Sequence, residues 1–600
     1  MFAYDADAGL MWFGVNGMWN DGANPALGTN SDWTSLPTTG LAPFAGVYGT
    51  AIKMDLNFGQ KPFKYAPPDG FQPVNTANTR PTKVISRPEQ YVGIITYVGN
   101  DGTQNVSFGS TMSFDGNPDL VWIKAMDDAY GPAIFDTIRG VNKRLRTDSA
   151  EDEQDMTTGL TSFDHNGFTV GSHNSVNESP DDYVAWCWKA GGNKNTFNVD
   201  DVGHASASDV GMNVGGQNSN AYDTSAIWSG MMSGTSNSGV YTSLFDGTDG
   251  PSAGYEQPSD GNTLTFTPTG GITASRSIEI YVHQSADTYA GSADITVNGT
   301  SIKTGNVQST LGTGSESGYV NIGTKSLTTL TWSNPSGSNN DYRLMAVRVD
   351  GKILVDSNQT PPNVPSIAAT GCSVGTKQGF SIIRYVGNNT LGATVPHGLT
   401  QAPDFFVTKA DYDSREWQVY HKSLGGTQPI RLNTSQAAQS ANAAYFNDTT
   451  PSSSVVTFGN GGDANQGGAT PLTYVMYAWH DVPGLQKFGS FTGNADSGGN
   501  GPYVELGFRP ALVWFKATTG TQPWNAFDSE RGKINPIDEG LLINSADNQF
   551  TGTARVDYLS NGFKVRAPSG GNPNVATTYI YCAWAEAPSV DLFGGGANAR

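Results

Sequence analysis

Residues able to do chemistry are few in this sequence, and their spacing rarely matches that of a known kind of site. The G-x-S-x-G string at residues 250–254 is flanked by polar turn residues, whereas a nucleophilic serine needs a buried strand before it and a helix after it. That string therefore predicts a loop. Acidic residues cluster in turns such as 151–153 and 181–182, which is typical of a solvated surface rather than of paired glycosidase carboxylates. We predict no catalytic residue.

Metal binding is not predicted either. The seven histidines form neither an H-E-x-x-H motif nor a His-x-His pair, the spacings that zinc sites use. Residues 459–468 form an Asp, Asn and Gly loop whose oxygens could hold calcium, but the loop lacks the alternating acidic spacing of a known calcium loop. We predict no metal and no cofactor, with calcium at that loop as the open alternative. The histidines are His165, His173, His204, His283, His397, His421 and His480.

One polar element is more suggestive, because it occurs twice. Asp136 and Arg139 stand three residues apart in FDTIRG, and Asp528 and Arg531 have the same spacing in FDSERG. Such a pair could clasp a polar ligand. The alternative, which we favour, is an internal ion pair or an arginine-to-carbonyl bridge that closes the corner of a β-sandwich. No ligand-binding residue follows from the sequence.

These pairs belong to an order of motifs that runs through the chain three times. In each copy an aromatic-x-Gly-Asn step precedes a strand that begins with Pro and reaches Lys six residues later, and a Trp-bearing strand closes the copy. We align Trp186 with Trp479 and Trp584, and Cys187 with Cys582; the second copy has VYHKSLGG in place of the Asp–Arg pair. The copies read YVGN at 97–100, PDLVWIK at 118–124 and YVAWCW at 183–188; YVGN at 385–388, PDFFVTK at 403–409 and YVMYAW at 474–479; FTGN at 491–494, PALVWFK at 510–516 and YIYCAWAE at 579–586.

The composition predicts an all-β chain. The 600 residues include 74 Gly and 32 Pro with only 15% charged residues, and segments of Val, Ile, Thr and Tyr recur between Gly, Asn and Asp turns. The chain is too long for one core. We therefore predict a multidomain array of β-sandwiches, SPRY/concanavalin-like and jelly-roll-like, with little helix. Apolar runs such as LVWIK predict strands that are buried on both faces or lie at a sandwich centre.

Charge and cysteine usage narrow the partners and the compartment. With 34 Lys and Arg against 54 Asp and Glu the net charge is −20, whereas nucleic-acid binding needs clustered basic residues. No apolar run predicts a membrane span, and no signal peptide is predicted. Cys187, Cys372 and Cys582 cannot form a disulfide framework. Cys187 and Cys582, in separate repeat cores, should not meet, and buried thiols fit folding in a reducing cytoplasm.

The chain divides where composition and motif order change. Residues 193–357 break the repeat and are predicted to form an inserted, lectin-like β-sandwich, with Asp350-Gly351 as a hairpin turn. Repeats 2 and 3 have no spacer between them, so we expect them to pack together. The predicted divisions are 1–73, a SPRY-like C-terminal half; 74–89, a linker; 90–192, repeat 1; 193–357, the insert; 358–371, a linker; 372–487, repeat 2; 488–591, repeat 3; and 592–600, a flexible tail.

The aromatic residues fall into two groups. Trp122, Trp186, Trp514 and Trp584 lie in apolar strands and are predicted core residues, because a large ring there buries more area than it could offer to a sugar. Aromatics in loops are better candidates for stacking on a surface glycan. They are Trp33, Trp228, Tyr241, Tyr255 and Tyr289.

The longer strings resemble known families. YDADAG, WFGVNG and NFGQKPFKYAPPDGF, within residues 1–73, resemble the C-terminal half of a SPRY domain as found in tailed-phage virion proteins. The first half is missing, so we expect these strands to be completed by residues upstream of Met1, by another element or by another chain. QGFSIIRYVGNNTLGATVPHGL, GFRPALVWFK, FDSERG and YIYCAWAE resemble a family of unknown biochemical function that is common in marine bacteriophage structural and tail proteins.

That resemblance implies a non-enzymatic bacteriophage virion protein, a tail fibre or tail appendage that takes part in host-surface recognition and adsorption. Its partners would be other virion proteins, a host-surface glycan or receptor, and copies of itself, with a homotrimer expected by analogy. Its location would be the virion, after assembly in the host cytoplasm. Two alternatives stay open: a capsid decoration or adaptor without receptor binding, and a glycan depolymerase tailspike.

Overall fold

Strands in many small sheets make up the fold, which confirms the predicted all-β class. In the described part of the chain α-helix is limited to Asn174–Asn177, Gln308–Leu311, Ala443–Phe446 and Gly462–Asn465, and no helix there could cross a membrane. A computed structural model describes the chain except residues 6–7, 35, 37–56, 58–62, 66, 69–70, 72–83, 110–113, 216–225, 238–240, 249–253, 275–276, 285–292, 312–315, 335–341, 351, 360–363, 469–470, 569–572 and 589–600.

Each repeat has two layers: an inner sheet of apolar strands and a smaller outer sheet. In spatial order the inner sheets are Val92–Val98, Asp182–Trp188, Leu120–Ala125 and Ala133–Asp136 in repeat 1; Val202–His204, Phe197–Val199, Ala369–Gly375, Phe380–Val386, Thr473–Trp479, Phe405–Ala410, Gln418–His421 and Ile430–Arg431 in repeat 2; and Gln486–Thr492, Thr578–Pro588, Phe508–Ala517, Asn525–Asp528 and Leu541–Leu542 in repeat 3. The outer sheets are Leu160–Asp164, Gly167–Val170 and Gln104–Ser107; Ala393–Pro396 and Val455–Phe458; and Tyr503–Glu505, Gly562–Val565 and Val556–Leu559.

Strand alternation explains why both faces of the inner sheets are apolar. In Asp182–Trp188, the closing strand of repeat 1, the side chains of Val184, Trp186 and Trp188 enter a core shared with the other repeats, whereas Cys187 packs toward the outer sheet of its own repeat. Successive strand residues point to opposite faces. A strand that is covered on both faces therefore does not alternate between apolar and polar residues.

The three inner sheets enclose one core between them. Trp188, Trp479 and Trp584, one from the closing strand of each repeat, contact one another there with ring centroids 5.3 to 6.2 Å apart. Equivalent positions of the three repeats therefore meet in one core, whereas Cys187 and Cys582 lie in different cores. Each repeat does keep a private core between its two sheets, but the inner faces of all three bury one another.

Strand pairing also corrects the alignment of the copies. Trp188 lies opposite Leu120, two residues after the Pro that precedes its strand, and Trp584 lies opposite Leu512 at the same distance from its Pro. Trp188, not Trp186, is therefore the equivalent of Trp584. The sequence could not fix this register, because both faces of the strand are apolar.

The same shift separates two of the cysteines. Cys582 occupies the position of Trp186 and points into the shared core, whereas Cys187 points into the private core of repeat 1. Their predicted equivalence is wrong. All three cysteines, including Cys372, are buried and free, as expected, and burial raises the pKa of each thiol.

The Gly-Asn step of each repeat is held by a buried asparagine outside the motif. In repeat 1 the side-chain oxygen of Asn177 accepts the backbone N–H of Asn100 at 3.0 Å, and its amide donates to the carbonyl of Gly171. A Cβ atom on Gly99 would lie 2.0 Å from the carbonyl oxygen of Glu178, so only glycine fits. The step is thus a folding element. The equivalent bonds are made by Asn465 to Asn388 and Gly459, and by Asn574 to Asn494 and Ala567.

The N-terminal segment forms a meander, an antiparallel sheet of Phe2–Asp5, Leu10–Val15 and Met18–Trp19. Trp12 is buried at its centre and meets Phe71 edge to face. Residues 37–56 and 72–83, which include most of the first predicted linker, lie outside the described residues, as does the predicted tail at 592–600.

The insert is a β-sandwich with its own core. Asp350, at the predicted hairpin turn, has a φ of 53°, which matches a type I′ turn. One sheet contains Met232–Ser233, Asn262–Phe266, Leu330–Asn334, Asp294–Val297 and Thr300–Ser301, and the other contains Glu316–Asn321, Ile278–Gln284, Tyr342–Val349 and Lys352–Ile353; Ile272–Thr273 pairs with Ser326–Leu327.

The insert begins and ends at neighbouring points. Strands Phe197–Val199 and Val202–His204, which the sequence division assigned to the insert, instead extend the inner sheet of repeat 2. The backbone N–H of Gly215 donates to the carbonyl of Pro365 at 2.8 Å on the repeat 2 side. On the sandwich side Ser357 donates to Ala226, also at 2.8 Å. The two connections therefore leave repeat 2 side by side and reach the sandwich side by side.

Candidate functional site

The two Asp–Arg pairs are buried ion pairs, not open clasps. Arg139 Nε donates to Asp136 Oδ2 at 2.5 Å and Arg531 Nε to Asp528 Oδ2 at 2.7 Å, with no side chain of the four more than 2% exposed. Arg139 also donates to the carbonyl of Ile134. Burial alone would lower the pKa of Arg139, but the Asp136 carboxylate raises it above its ordinary value. This geometry matches the sandwich-corner alternative.

The corner carboxylates also join one repeat to another. The Tyr477 hydroxyl of repeat 2 donates to Asp136 of repeat 1 at 2.7 Å. The Trp186 indole N–H of repeat 1 donates to Asp528 of repeat 3 at 3.1 Å. Tyr477 and Trp186 occupy the same position of their closing strands. One kind of contact therefore links repeat 1 to repeat 2 and repeat 3 to repeat 1.

His421 supplies the third contact. Strand pairing puts it at the corner position that Asp136 has in repeat 1. Its Nδ1 accepts the N–H of Ser423, so Nε2 carries the proton and donates to the carbonyl of Tyr581 in repeat 3 at 3.1 Å. Burial lowers its pKa to about 4. The repeats therefore close into a ring through three corner contacts.

The change from Asp to His in repeat 2 follows from its partner. At the position where repeats 1 and 2 offer Trp186 and Tyr477 as donors, repeat 3 has Cys582, whose thiol is a weak donor. The corner of repeat 2 therefore donates, and a backbone carbonyl accepts. Repeat 2 lacks the Asp–Arg pair, as its sequence shows, but His421 supplies a contact to the next repeat from the same corner position.

Two of the three motif lysines cross the same interfaces. Lys124 Nζ donates to the carbonyl of Ala546 in repeat 3 at 3.0 Å, and Lys516 Nζ to the carbonyl of Ser435 in repeat 2 at 2.9 Å. Lys409 donates within its own strand. Burial lowers the pKa of Lys124 and Lys409 to about 8 and that of Lys516 to about 7. The fixed Pro-to-Lys spacing was the sequence signal for this role.

The aromatic predictions divide on burial. Trp122, Trp186, Trp514 and Trp584 are core residues, as expected, each at most 3% exposed. Among the loop candidates, Trp33 and Tyr255 are exposed, whereas Trp228 is only 7% exposed and lies in the insert core, so its prediction as a surface aromatic is wrong. Tyr241 is half-buried and donates to Gly234. Tyr289 and residues 250–253 lie outside the described residues.

The possible calcium loop is held by protein donors. Asp463 accepts hydrogen bonds from the Gln418 amide at 2.9 Å and from the backbone N–H of Glu416. Asn465 is the buried asparagine that holds the Gly-Asn step of repeat 2. Elsewhere in the described ranges three carboxylates bring their oxygens within 4.8 Å of one another at the rim of repeat 1. One of them already accepts the Tyr130 hydroxyl, and we assign no ion to them. They belong to Asp128, Glu178 and Asp181.

A different kind of surface lies on the insert. Along Ile278–Gln284 the side chains of Ile280 and Val282 enter the insert core. Glu279, Tyr281 and His283 alternate with them and therefore occupy the other face of the sheet. None of these three is fully buried.

Neighbouring strands add to this face. Tyr319 meets Tyr281 edge to face, with ring centroids 5.0 Å apart. The Arg348 guanidinium stacks 3.6 Å from the centroid of Tyr319 and holds the Glu279 carboxylate through two nitrogens, each at 2.9 Å. These contacts fix the planes of a ring, a guanidinium and a carboxylate relative to one another.

A bulge after Tyr281 in the pairing with Tyr342–Val349 puts a second arginine on the same face. Arg343 lies opposite His283, and its guanidinium is 4.8 Å from the centroid of the exposed Tyr255. We call these side chains the insert platform. Its members are Tyr255, Glu279, Tyr281, His283, Tyr319, Arg343 and Arg348. Among these, the sequence analysis singled out only Tyr255 as a stacking aromatic; the signal for Glu279, Tyr281 and His283 was the alternation in SIEIYVH.

Comparison with protein families gives one match that spans more than half of the chain. A family described as a domain of unknown function, DUF7483, matches residues 87–225 and 356–588. The chain belongs to this family. No curated protein and no solved structure matches it. In this DUF7483 protein the matched segments are the ring of repeats, whereas the insert platform lies in the unmatched residues between them.

Proposed function

We propose that this protein is a bacteriophage virion structural protein, a tail fibre or tail appendage, whose insert platform binds a glycan on the host surface. The virion assignment rests on the motif resemblance. The binding assignment rests on one observation: a separate sandwich, joined to the ring by two adjacent connections, presents tyrosines, arginines and a carboxylate on one sheet face.

The chemistry of the insert platform suits a sugar. Aromatic rings pack against the C–H faces of a pyranose, and arginine and carboxylate groups make paired hydrogen bonds to its hydroxyls. Arg348 and Glu279 neutralise each other and remain partly exposed, at 27% and 21% of their side chains. Because a platform is shallow, each site would bind weakly, and several copies in one appendage would raise the avidity. A homotrimer remains our suggestion for that appendage.

A direct test is glycan-array binding of the full chain. The variants Tyr319→Ala and Arg348→Ala each remove one platform side chain, and each should weaken binding at least tenfold, or by about 1.4 kcal/mol. Tyr412→Ala, which removes an exposed tyrosine from the ring, is the matched control and should bind like the unaltered protein. Absence of any glycan binding, or equal binding by all four proteins, would overturn the proposal.

A second candidate, a capsid decoration or adaptor without receptor binding, is favoured by the ring, since three interlocked repeats make a rigid part. Antibody raised against residues 226–357 separates the two functions. If the platform mediates adsorption, Fab fragments should block adsorption of the virion. If the protein is a decoration, Fab-coated virions should adsorb normally.

A further inference from the structure

A polar recess lies on the ring itself, where repeats 1 and 2 meet. Its volume is about 480 Å³, and its lining includes Thr137 and Ile138 from repeat 1 and Thr370, Arg384 and Thr473 from repeat 2. We propose that this recess binds one unit of a neutral sugar. The site is separate from the insert platform and does not depend on it.

The charges in the recess favour a neutral ligand. Arg384 donates to Asp411 Oδ2 through Nε at 2.9 Å and Nη2 at 2.6 Å, and the Asp411 side chain is buried. Thr473 donates to the other oxygen of the same carboxylate. Arg384 is therefore already neutralised, but about a third of its side chain stays exposed. Its outer N–H groups can still donate to hydroxyl oxygens.

Hydroxyl groups and a small apolar wall complete the recess. Thr196 and Thr370 are exposed, and their hydroxyls make no hydrogen bond to the described residues, so each can both donate and accept. Ile138 adds methyl groups to the lining. Gly371 keeps the space beside Ile138 open, because a Cβ atom there would lie 3.2 Å from Ile138 Cγ2. The volume falls in the range of small-ligand pockets.

The Arg384–Asp411 ion pair is not needed to close the ring. Strand pairing aligns Arg384 with Thr96 in repeat 1 and Ser490 in repeat 3. The residue after the motif lysine and alanine is Asp411 in repeat 2 but Met126 and Thr518 in the others. The other two repeats pack into the same ring without an Arg–Asp pair here. The recess is therefore a local addition at one interface.

Saturation-transfer NMR on the full chain tests the proposal, with maltose, cellobiose, lactose and N,N′-diacetylchitobiose as probes and glucuronate as an anionic comparison. We expect transfer to at least one neutral disaccharide. Thr196→Trp, which fills the recess from an exposed position, and Arg384→Met should each weaken that binding at least tenfold. Ser490→Trp adds the same bulk at the position of repeat 3 that corresponds to Arg384 and should have no effect.

The outcomes separate this site from the insert platform. Binding that is lost in Tyr319→Ala but kept in Thr196→Trp would overturn the recess and support the platform. No transfer to any neutral disaccharide, or transfer to glucuronate only, would also overturn it. Binding that is lost in Thr196→Trp and kept in Tyr319→Ala supports the recess whatever the platform does.

Discussion

The ring and the insert use the same residue types in opposite ways. In the ring, arginine, aspartate, lysine and tryptophan are buried and hold the three repeats together. In the insert, arginine, glutamate and tyrosine lie on a sheet face and are only partly buried. In this chain the repeated motifs serve folding, whereas candidate binding chemistry lies where the copies differ or where no copy exists.

The largest expected difference between the two regions concerns their cores. Trp584→Ala should lower the free energy of unfolding of the ring by about 3–5 kcal/mol, because it leaves a cavity where all three repeats meet. Trp332→Ala makes the same change in the insert core. Calorimetry of the full chain should show the first variant shifting the ring transition and the second shifting the insert transition. Equal shifts of both transitions in either variant would mean that the cores are not independent.

Breaking one corner should cost nearly as much. Arg531→Met leaves the Asp528 carboxylate buried without its cation, so we expect a loss of about 3 kcal/mol in the ring. The double variant Asp528→Asn/Arg531→Met removes the orphaned charge and should recover part of that loss. Urea unfolding of the unaltered protein, Arg531→Met, Asp528→Asn and the double variant measures the coupling. A double variant less stable than the sum of the single changes would contradict the ion-pair account.

The buried lysines make the stability of the ring depend on pH. Their pKa values are lowered by burial, Lys516 to about 7 and Lys124 to about 8, so between pH 7 and the ordinary value near 10.5 the unfolded chain binds more protons than the folded one. Stability should therefore rise with pH from about 7.5 to 9.5, by up to about 1.4 kcal/mol per pH unit for each lysine that differs fully. Lys516→Met should flatten the rise; an unchanged slope would contradict it.

The smallest predicted effect concerns the indole groups. The indole N–H of Trp188 is buried and has no hydrogen-bond acceptor among the residues that the structure describes. Its ring packs edge to face with Trp479, Trp514 and Trp584, an arrangement that lets an N–H face a ring. Trp186 instead bonds to Asp528. Trp186→Phe should therefore destabilise the ring by about 1 kcal/mol more than Trp188→Phe in urea unfolding. The reverse order would show that Trp188 has an acceptor.

Much of the ring could be predicted from the sequence, and the rest has an identifiable physical obstacle. The apolar closing strands showed that two faces are covered, and the spacing of Lys124 in its strand pointed to a fixed role. What covers the second face is another repeat, however, and strand periodicity does not specify a partner. The alignment of the closing strands could not be predicted for the same reason. Because both faces of these strands are apolar, Cys187 and Cys582 could be aligned one residue out of place. Asn177, the buried asparagine that holds the Gly-Asn step of repeat 1, stands outside the motif, and no pattern in the sequence predicted its role.

The insert platform shows the complementary limit. Alternation in Ile278–Gln284 is typical of a strand with one polar face, but the meeting of Tyr281 with Tyr319 and Arg348 depends on strands about 40 to 70 residues away in sequence. The insert was also predicted to begin too early in the chain, at residue 193. Residues 197–204 look like any polar, turn-rich segment until their pairing partner in repeat 2 is known.

The closeness of Gly215 to Pro365 has a consequence for how such a chain can change. Because the two connections leave repeat 2 side by side, the 149 residues between Gly215 and Pro365 form a loop whose ends are already close together. The entropic cost of closing such a loop grows only slowly with its length. A module of another size or sequence can stand between the same two residues without displacing a strand of the ring. The fold thus allows the insert to be exchanged while the ring of repeats stays unchanged.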